Sequence, residues 1–225
     1  MGWLPRRATW IFAAVVLAEF VAIGLQPQLP LLRYATKPLL VGWLLVVWVR
    51  TSGVRGAFPV RFALGLVLAL LGDLALIPGG ETFFLVGVGF FLLAQLCYAW
   101  AFQTSGDRVR GLVQRQPKVA LPVLLYASAL LYEFWPHLGD LALPVAVYVL
   151  GICTMAMAMI NRSGRVDAPS YWAGLVGMLF FLLSDSLLGW NRFVSPLPGA
   201  DYVVMGTYAL AQYWLTAAAY HQHRA

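Results

Sequence analysis

The sequence predicts an all-α fold, a polytopic transmembrane bundle of eight helices. Of the 225 residues, 61% are hydrophobic and only 11% are charged, a balance that excludes an ordinary soluble domain. Apolar runs recur along the whole chain between short polar breaks, and most approach the roughly 17 to 25 residues that a helix needs to cross a bilayer. Lys and Arg concentrate in every second break, which is the charge bias of multi-pass membrane proteins.

Each apolar run between two polar breaks is a candidate span. In chain order we place them at Ala8–Leu25, Pro38–Val49, Phe62–Ile77, Phe83–Phe102, Val119–Trp135, Leu141–Ile160, Tyr171–Leu188 and Tyr202–Tyr220. The second run is short, although a helix that starts at Tyr34 would cross a thinned region or cross with a tilt. Arg6 and Arg7 precede the first run as in a signal peptide, but no small-residue cleavage site ends it, so we keep it as a helix.

The distribution of basic residues predicts that both termini lie inside. With eight spans, twelve basic residues fall on the inner side: Arg6, Arg7, Arg50, Arg55, Arg61, Arg108, Arg110, Arg115, Lys118, Arg162, Arg165 and Arg224. Only Arg33, Lys37 and Arg192 fall outside. Because a missed helix would invert every later loop, this split supports the span count as well as the orientation.

Short loops leave room for a single integral membrane domain, residues 1–225, with possible halves 1–110 and 111–225. Asp73 and Asp185 lie 112 residues apart, each near the outer end of the third helix of its half. The next helix of each half repeats Leu-Ala-Gln, ending at Gln95 and at Gln212. This pattern is consistent with a parallel repeat of four plus four helices, although apolar sequences also resemble each other by chance.

The two aspartates are the strongest functional candidates, because a carboxylate at membrane depth costs a few kcal/mol on insertion scales. Their near-identical frames, Leu-Gly-Asp-Leu and Leu-Ser-Asp-Ser, indicate one shared site. One interpretation is structural: the aspartates join helices through ion pairs or hydrogen bonds, for instance with Lys37 or Arg192. The other is a catalytic dyad, with one carboxyl protonated as an acid and the other ionised.

Further polar residues at the same side of the bilayer are candidates for substrate binding. Lys37 and Arg192 stand at the headgroup level, where they could bind a lipid phosphate or simply snorkel to the interface. Glu19 could face a polar cavity or pair with Lys37. The remaining candidates could line a cavity or join helices by hydrogen bonds: Gln95, Tyr98, Tyr208 and Gln212.

Several function classes lack support in the sequence. The chain has no Gly-x-Ser-x-Gly, HExxH or Walker motif, so serine lipases, zincins and P-loop ATPases are not indicated. The three histidines, His137, His221 and His223, have no clustered acids, so we predict no metal site and no cofactor. The net charge of +6 is explained by contact with anionic membrane lipids at the inner face, so no nucleic-acid partner is expected.

A set of motifs resembles the YhhN family, the lysoplasmalogenase-like membrane proteins that include the mammalian TMEM86 proteins. The resemblance rests on five segments and covers most of the chain: Lys37-Pro38-Leu39-Leu40, Leu71-Gly72-Asp73, Gly87 through Tyr98, Leu183-Ser184-Asp185 and Tyr208 through Gln212. The family often has Ala-His where this chain has Ala94-Gln95. A glutamine does not transfer protons at ordinary pH, so an acid-base role at that position is not expected here.

The resemblance implies hydrolysis of the vinyl ether bond of a lysoplasmalogen, a lysophospholipid, to a fatty aldehyde and a glycerophosphocholine or glycerophosphoethanolamine. Two buried carboxyls fit that chemistry, since a vinyl ether is cleaved after protonation of its alkene carbon. The alternative is a small proton-coupled transporter, because intramembrane acids and internal repeats are also typical of carriers. A lipid-binding scaffold is a third, weaker reading. The compact loops favour a bacterial inner membrane.

Overall fold

The computed structural model describes residues 3–107 and 109–224; Arg108, one of the basic residues counted above, lies outside these ranges. The described residues form eight helices of at least 18 residues and no strand, which confirms the all-α prediction. The helices are α1 (Arg6–Gly24), α2 (Leu32–Ser52), α3 (Ala57–Leu76), α4 (Glu81–Gln103), α5 (Leu121–Leu138), α6 (Ala142–Ile160), α7 (Ala168–Gly189) and α8 (Ala200–Arg224).

Length and composition identify the segments that can cross a membrane. Six helical segments qualify: Arg6–Gly24, Leu32–Ser52, Ala57–Leu76, Glu81–Gln103, Pro117–Ile160 and Ala168–Val194. The fifth contains both α5 and α6, which are joined by the 3-10 turn Gly139–Leu141. Seven helices therefore lie in such segments, and the chain is a multi-pass membrane protein. The crossing of α8 and the inward orientation of both termini stay predictions.

The second helix is longer than the predicted run Pro38–Val49. It begins at Leu32 and continues through Pro38. A proline within a helix removes the hydrogen bond to the carbonyl four residues earlier, here that of Tyr34, a residue that is 46% exposed at the start of the helix. The loss therefore falls near the helix end, and Lys37 lies in the second turn of α2 rather than before it.

The helices pack in a closed sequence around the bundle. Each of α1, α2, α3 and α4 packs on the next, α4 then packs on α6, α6 on α7, α7 on α8, and α8 returns to α1 and α2. The fifth helix lies outside this sequence, because it packs mainly on α6 and on the π-helical turn Trp190–Val194 that extends α7. Ten residues of α8 are buried inside the bundle.

The two ends of the bundle differ in chemistry. One end, which we call the basic end, contains the loops between α2 and α3, α4 and α5, and α6 and α7, and it is packed with aromatic side chains around Trp48, Phe62 and Phe102. There Arg162 is fully buried, stacks on Phe102 and bonds Ser170 and Gln222. The other end, the cavity end, contains the remaining loops and opens into the bundle.

Candidate active site

A cavity of about 410 Å³ opens at the cavity end of the bundle. Helices α2, α3, α4, α7 and α8 all contribute to its wall, together with the loops that follow α1 and α3. Five of the residues singled out in the sequence line it: Lys37, Asp73, Asp185, Arg192 and Tyr208. Two carboxyls and two cations that are far apart in sequence thus share one space.

Asp73 is held by an ordered series of hydrogen-bond donors. The residue is 1% exposed, and its Oδ2 accepts a hydrogen bond of 2.9 Å from the Tyr208 hydroxyl. Tyr208 in turn accepts from Nε2 of Gln212 at 3.2 Å, and Oε1 of Gln212 accepts from the Tyr98 hydroxyl at 2.9 Å. Each group in this series donates toward the carboxyl, which fixes the orientation of the Tyr208 hydroxyl.

Asp185 has a matching but separate set of donors. Its Oδ2 accepts hydrogen bonds of 2.9 Å from the Tyr148 hydroxyl of α6 and from Nε2 of Gln95 of α4. The same Gln95 amide also donates to the Tyr148 oxygen at 3.0 Å, while Oε1 of Gln95 is buried without a partner among the described atoms. The carboxyl of α7 is thus anchored to two other helices.

Neither aspartate uses its other oxygen in a contact with described side chains. In residues 3–107 and 109–224, every side-chain hydrogen bond to Asp73 or Asp185 goes to Oδ2, and the ion pairs within 4.0 Å all involve Arg33. The ion pairs of the aspartates with Lys37 or Arg192, the examples given for the structural interpretation, are therefore not formed, whereas both aspartates accept hydrogen bonds from other helices. Donors from neutral tyrosine and glutamine leave Oδ1 of each carboxyl available to a ligand in the cavity.

Three cationic side chains surround the mouth and wall of the cavity. Lys37 is only 7% exposed, and no carboxylate oxygen of the described residues lies within 4.0 Å of its ammonium. Arg33 lines the cavity beside it, and Arg192 lies exposed at the rim, with its guanidinium 5.1 Å from the ring centre of Phe84. A buried cation without a paired anion is costly, which distinguishes Lys37 from the other cations of the cavity.

Glu19 has a different partner from the one expected. It is fully buried on α1, accepts from Nε of Arg33 at 3.2 Å and from the Thr36 hydroxyl at 2.5 Å, and does not line the cavity. The expected pair with Lys37 is not formed, because Arg33 stands one turn nearer to the start of α2 and reaches α1 first. Glu19 is therefore bonded to Arg33 and Thr36 of α2 behind the cavity wall.

Three more predicted residues lie behind the cavity wall. Gln95, Tyr98 and Gln212 are fully buried or nearly so and do not line it; the structure places them in the networks that hold the aspartates. Sequence reasoning missed Arg33 and Tyr148. The signal for Tyr148 was available, since it is the sole tyrosine of α6 and its hydroxyl lies in an otherwise apolar run.

Asp185 also borders a second, apolar space. A pocket of about 40 Å³ lies between α4, α5, α6 and α7, and it shares four residues with the large cavity: Phe84, Phe91, Asp185 and Leu188. The polar groups that line the large cavity include carboxyls, hydroxyls and cations. Among the described residues, no group of three or more His, Cys, Asp or Glu could hold a metal ion.

The chain matches the model of a known protein family. The model of the YhhN family matches residues 32–219, which is most of the chain. This chain belongs to the YhhN family. The match includes Lys37, both aspartates and all the hydrogen-bond donors that hold them, whereas α1 and Glu19 lie before it.

Curated relatives of this YhhN-family chain occur in mammals and in bacteria. It is 37% identical to lysoplasmalogenase TMEM86B of Sus scrofa over 172 residues, which is 75% of this chain and 67% of the relative. It is 33% identical to lysoplasmalogenase TMEM86B of Homo sapiens over 218 residues, 96% of this chain and 79% of the relative. The lysoplasmalogenase of Mycobacterium tuberculosis is 34% identical over 156 residues, 68% of this chain and 57% of the relative. No solved structure matches the chain.

Proposed function

We propose that this YhhN-family chain is a lysoplasmalogenase, a membrane-embedded hydrolase that cleaves the vinyl ether bond of a lysophospholipid with Asp73 and Asp185. Its curated relatives bear that name. The observation that carries the mechanism is the shared cavity, in which the aspartates of α3 and α7 and the exposed Asp201 of α8 lie with three cations. No cofactor is needed for the reaction, since both acid and base are side chains.

The reaction begins with an acid. A carboxyl of the dyad gives its proton to the alkene carbon remote from the ether oxygen, the electrons of the double bond form the new C–H bond, and an oxocarbenium ion results. Water adds to the cationic carbon and loses a proton to the other carboxylate, which yields a hemiacetal. The hemiacetal hydroxyl then gives its proton to the carboxylate that had acted as the acid, and the bond to the glycerol oxygen breaks as that oxygen takes the proton held by the other carboxyl. Aldehyde and alcohol are released, and both carboxyls return to their starting protonation states. The charge development resembles that of glycoside hydrolysis.

The protein's task is to hold the two carboxyls in different protonation states. Electrostatic interactions are stronger in a protein interior than in water, so the fixed donors stabilise each carboxylate more than the same donors would in water. The Tyr208 hydroxyl donates to one oxygen of Asp73. The Tyr148 hydroxyl and the Gln95 amide donate to one oxygen of Asp185. These donors stabilise negative charge when it forms and keep the second oxygen free for the substrate or for water.

The cations give the site a place for the phosphate. Lys37 and Arg33 line the cavity wall and Arg192 the rim, and a phosphate between them would supply the anionic partner that the Lys37 ammonium lacks. Arginine offers paired donors to phosphate oxygens and lysine a compact charge. We therefore assign the glycerophospho headgroup to this part of the cavity and the vinyl ether to the part nearer the aspartates.

The first experiment compares the wild-type protein with Asp73→Asn and Asp185→Asn, each shown to be folded in detergent, by aldehyde release from a lysoplasmalogen. The expected result is release by the wild type and a loss of at least about a thousandfold in both variants, as for an essential acid or base. Full activity in both variants would refute the dyad. Folded wild type that releases no aldehyde, but supports pH-driven flux in sealed vesicles, would identify a transporter instead. We also propose a bacterial inner membrane as its location, which membrane fractionation tests.

A further inference from the structure

We infer that the apolar pocket beside Asp185 binds the first methylenes of the substrate's alkenyl chain, and that Asp185 is the carboxyl next to the vinyl carbons. This inference rests on the proposed function. The pocket and the polar cavity meet at Asp185, and no other carboxyl in the part of the chain that the structure describes lines both spaces.

The lining of the pocket fits a hydrocarbon chain. Apart from Asp185, the Tyr148 hydroxyl is the only side-chain polar group that the described residues contribute to its wall, and that hydroxyl donates to Asp185. The rest of the wall is aliphatic or aromatic, with Leu130 and Phe134 from α5 facing Val145, Val149 and Ile152 from α6. Such a wall gains free energy from each methylene that it removes from water.

The boundary between polar and apolar space is sharp at Phe84. One contact of this ring is the Arg192 guanidinium in the polar cavity, and another is the edge-on ring of Phe193 in the apolar pocket, at 5.8 Å between centroids. A lysophospholipid has the same order of parts: phosphate, glycerol, vinyl ether and then hydrocarbon. With the phosphate at the cations and the chain in the pocket, the vinyl ether lies at the junction beside Asp185.

The packing of α5 provides a route for the rest of the chain. This helix packs mainly on α6 and on the π-helical turn after α7, whereas α4 packs on α3 and α6. The pocket, at about 40 Å³, accommodates only the start of a long chain. Because Leu130 of α5 and Val88 of α4 both line it, the remaining methylenes pass between these helices toward the lipid.

The inference also divides the roles of the two aspartates. Asp185 borders the apolar pocket, so it is the group that donates the proton to the alkene carbon. Asp73 lies in the polar cavity with Lys37 and outside the apolar pocket, where a carboxylate base has a cation nearby. Asp73 therefore takes the proton from the attacking water.

The test is the chain-length dependence of kcat/KM, measured below the critical micelle concentration with lysoplasmalogens from butenyl to hexadecenyl. In the wild type, kcat/KM should rise about fourfold per methylene over the first carbons, as expected for burial of a CH₂ group, and then level off. Leu130→Trp should remove this rise, because a filled pocket no longer removes methylenes from water, so the loss of kcat/KM relative to the wild type should be larger on hexadecenyl than on butenyl substrate.

Leu124→Trp is the matched control. It is the same change on the same helix, but Leu124 lines a groove near the basic end and not this pocket, so its chain-length profile should equal that of the wild type. Equal profiles for Leu130→Trp and Leu124→Trp would overturn the inference. The inference would also be overturned if Leu130→Trp lowered kcat/KM for the butenyl substrate as much as for the hexadecenyl substrate.

A second readout does not need turnover. A non-hydrolysable alkyl lysophospholipid with a diazirine on its first methylenes should crosslink to α4 and α5 residues of the pocket, such as Phe84 and Leu130, in the wild type and in Asp185→Asn. Crosslinks there, together with no aldehyde release from a lysoplasmalogen by the wild type in a separate assay, would support the chain site and refute the hydrolase. Crosslinks confined to the groove at Leu124, with normal aldehyde release, would refute the chain site and leave the hydrolase intact.

Discussion

Tyr208 donates a hydrogen bond of 2.9 Å to Oδ2 of Asp73, and it is the only described side chain that does so. Asp185, by contrast, has two donors at the same distance, Tyr148 and Gln95. Asp73 and Asp185 therefore depend on individual hydrogen-bond donors to different degrees, although the sequences around them are nearly the same.

The first prediction follows from this difference. Tyr208→Phe removes the sole donor that the described side chains give to a buried carboxyl, a loss that costs about 1–3 kcal/mol, so kcat should fall by about five- to 150-fold with little change in KM. Tyr148→Phe should have a smaller effect, because Gln95 still donates to Asp185. Tyr213→Phe is the control on the same helix, since the Tyr213 hydroxyl contacts Thr9 and not the cavity. A Tyr208→Phe enzyme with wild-type kcat would contradict the prediction.

The second prediction concerns the headgroup. Lys37→Met removes the buried ammonium that has no paired carboxylate among the described residues, so KM for the lysophospholipid should rise by about tenfold or more, as for a charged hydrogen bond. Arg192→Gln at the exposed rim should raise KM only about two- to threefold, in line with the weakness of exposed charge pairs. Steady-state kinetics measures both. If a substrate analogue without the phosphate shows the same rise in Lys37→Met, the lysine does not bind the headgroup.

The third prediction concerns Glu19, which the sequence had suggested as a substrate contact. Glu19→Gln removes the anion from a buried pair with Arg33, and breaking such a pair costs about 3–5 kcal/mol, so thermal unfolding in detergent should occur at a clearly lower temperature. Asp201→Asn, at the exposed partner of the same arginine, should leave it nearly unchanged. Unaltered stability together with lost turnover in Glu19→Gln would instead mean a direct role in the reaction.

The sequence predicted the helices and the meeting of the two aspartates because both depend on strong local signals. Apolar runs and the alternation of basic loops defined eight helices, and a carboxylate in such a run is costly enough to stand out. The partners of those carboxyls were harder to find, since a tyrosine in an apolar helix serves as packing as often as a donor. Tyr148 was missed for that reason. For Glu19 the sequence left open a polar cavity or a pair with Lys37, and it did not indicate Arg33, because sequence does not determine which side chain on a helix face reaches its neighbour.

The fourth prediction concerns the close contact of α7 and α8, the helices that contribute Asp185 and Tyr208. A Cβ at Gly177 would lie 2.8 Å from the backbone nitrogen of Leu215 and 3.1 Å from the carbonyl oxygen of Ala211. Gly177→Ala must therefore separate the helices, and such overpacking costs about 1–3 kcal/mol. Gly89→Ala is the control, since no atom lies within 4 Å of its Cβ, and alanine should stabilise that helix by up to about 1 kcal/mol. Equal unfolding temperatures for the two variants would show that α7 and α8 can separate without cost.

The last prediction separates the roles of the aspartates by chemical rescue. If Asp185 protonates the alkene carbon and Asp73 activates water, Asp73→Ala still forms the oxocarbenium ion but lacks a base for its capture. Azide is a nucleophile that needs no base, so it should restore consumption of the vinyl ether in Asp73→Ala by adding to the cationic carbon. Asp185→Ala lacks the acid, no cation forms, and azide should have no effect. Mass spectrometry of the azide adduct and loss of the vinyl ether measure the outcome. Rescue of Asp185→Ala and not of Asp73→Ala would reverse the two roles, and with them the position of the vinyl ether at the mouth of the apolar pocket.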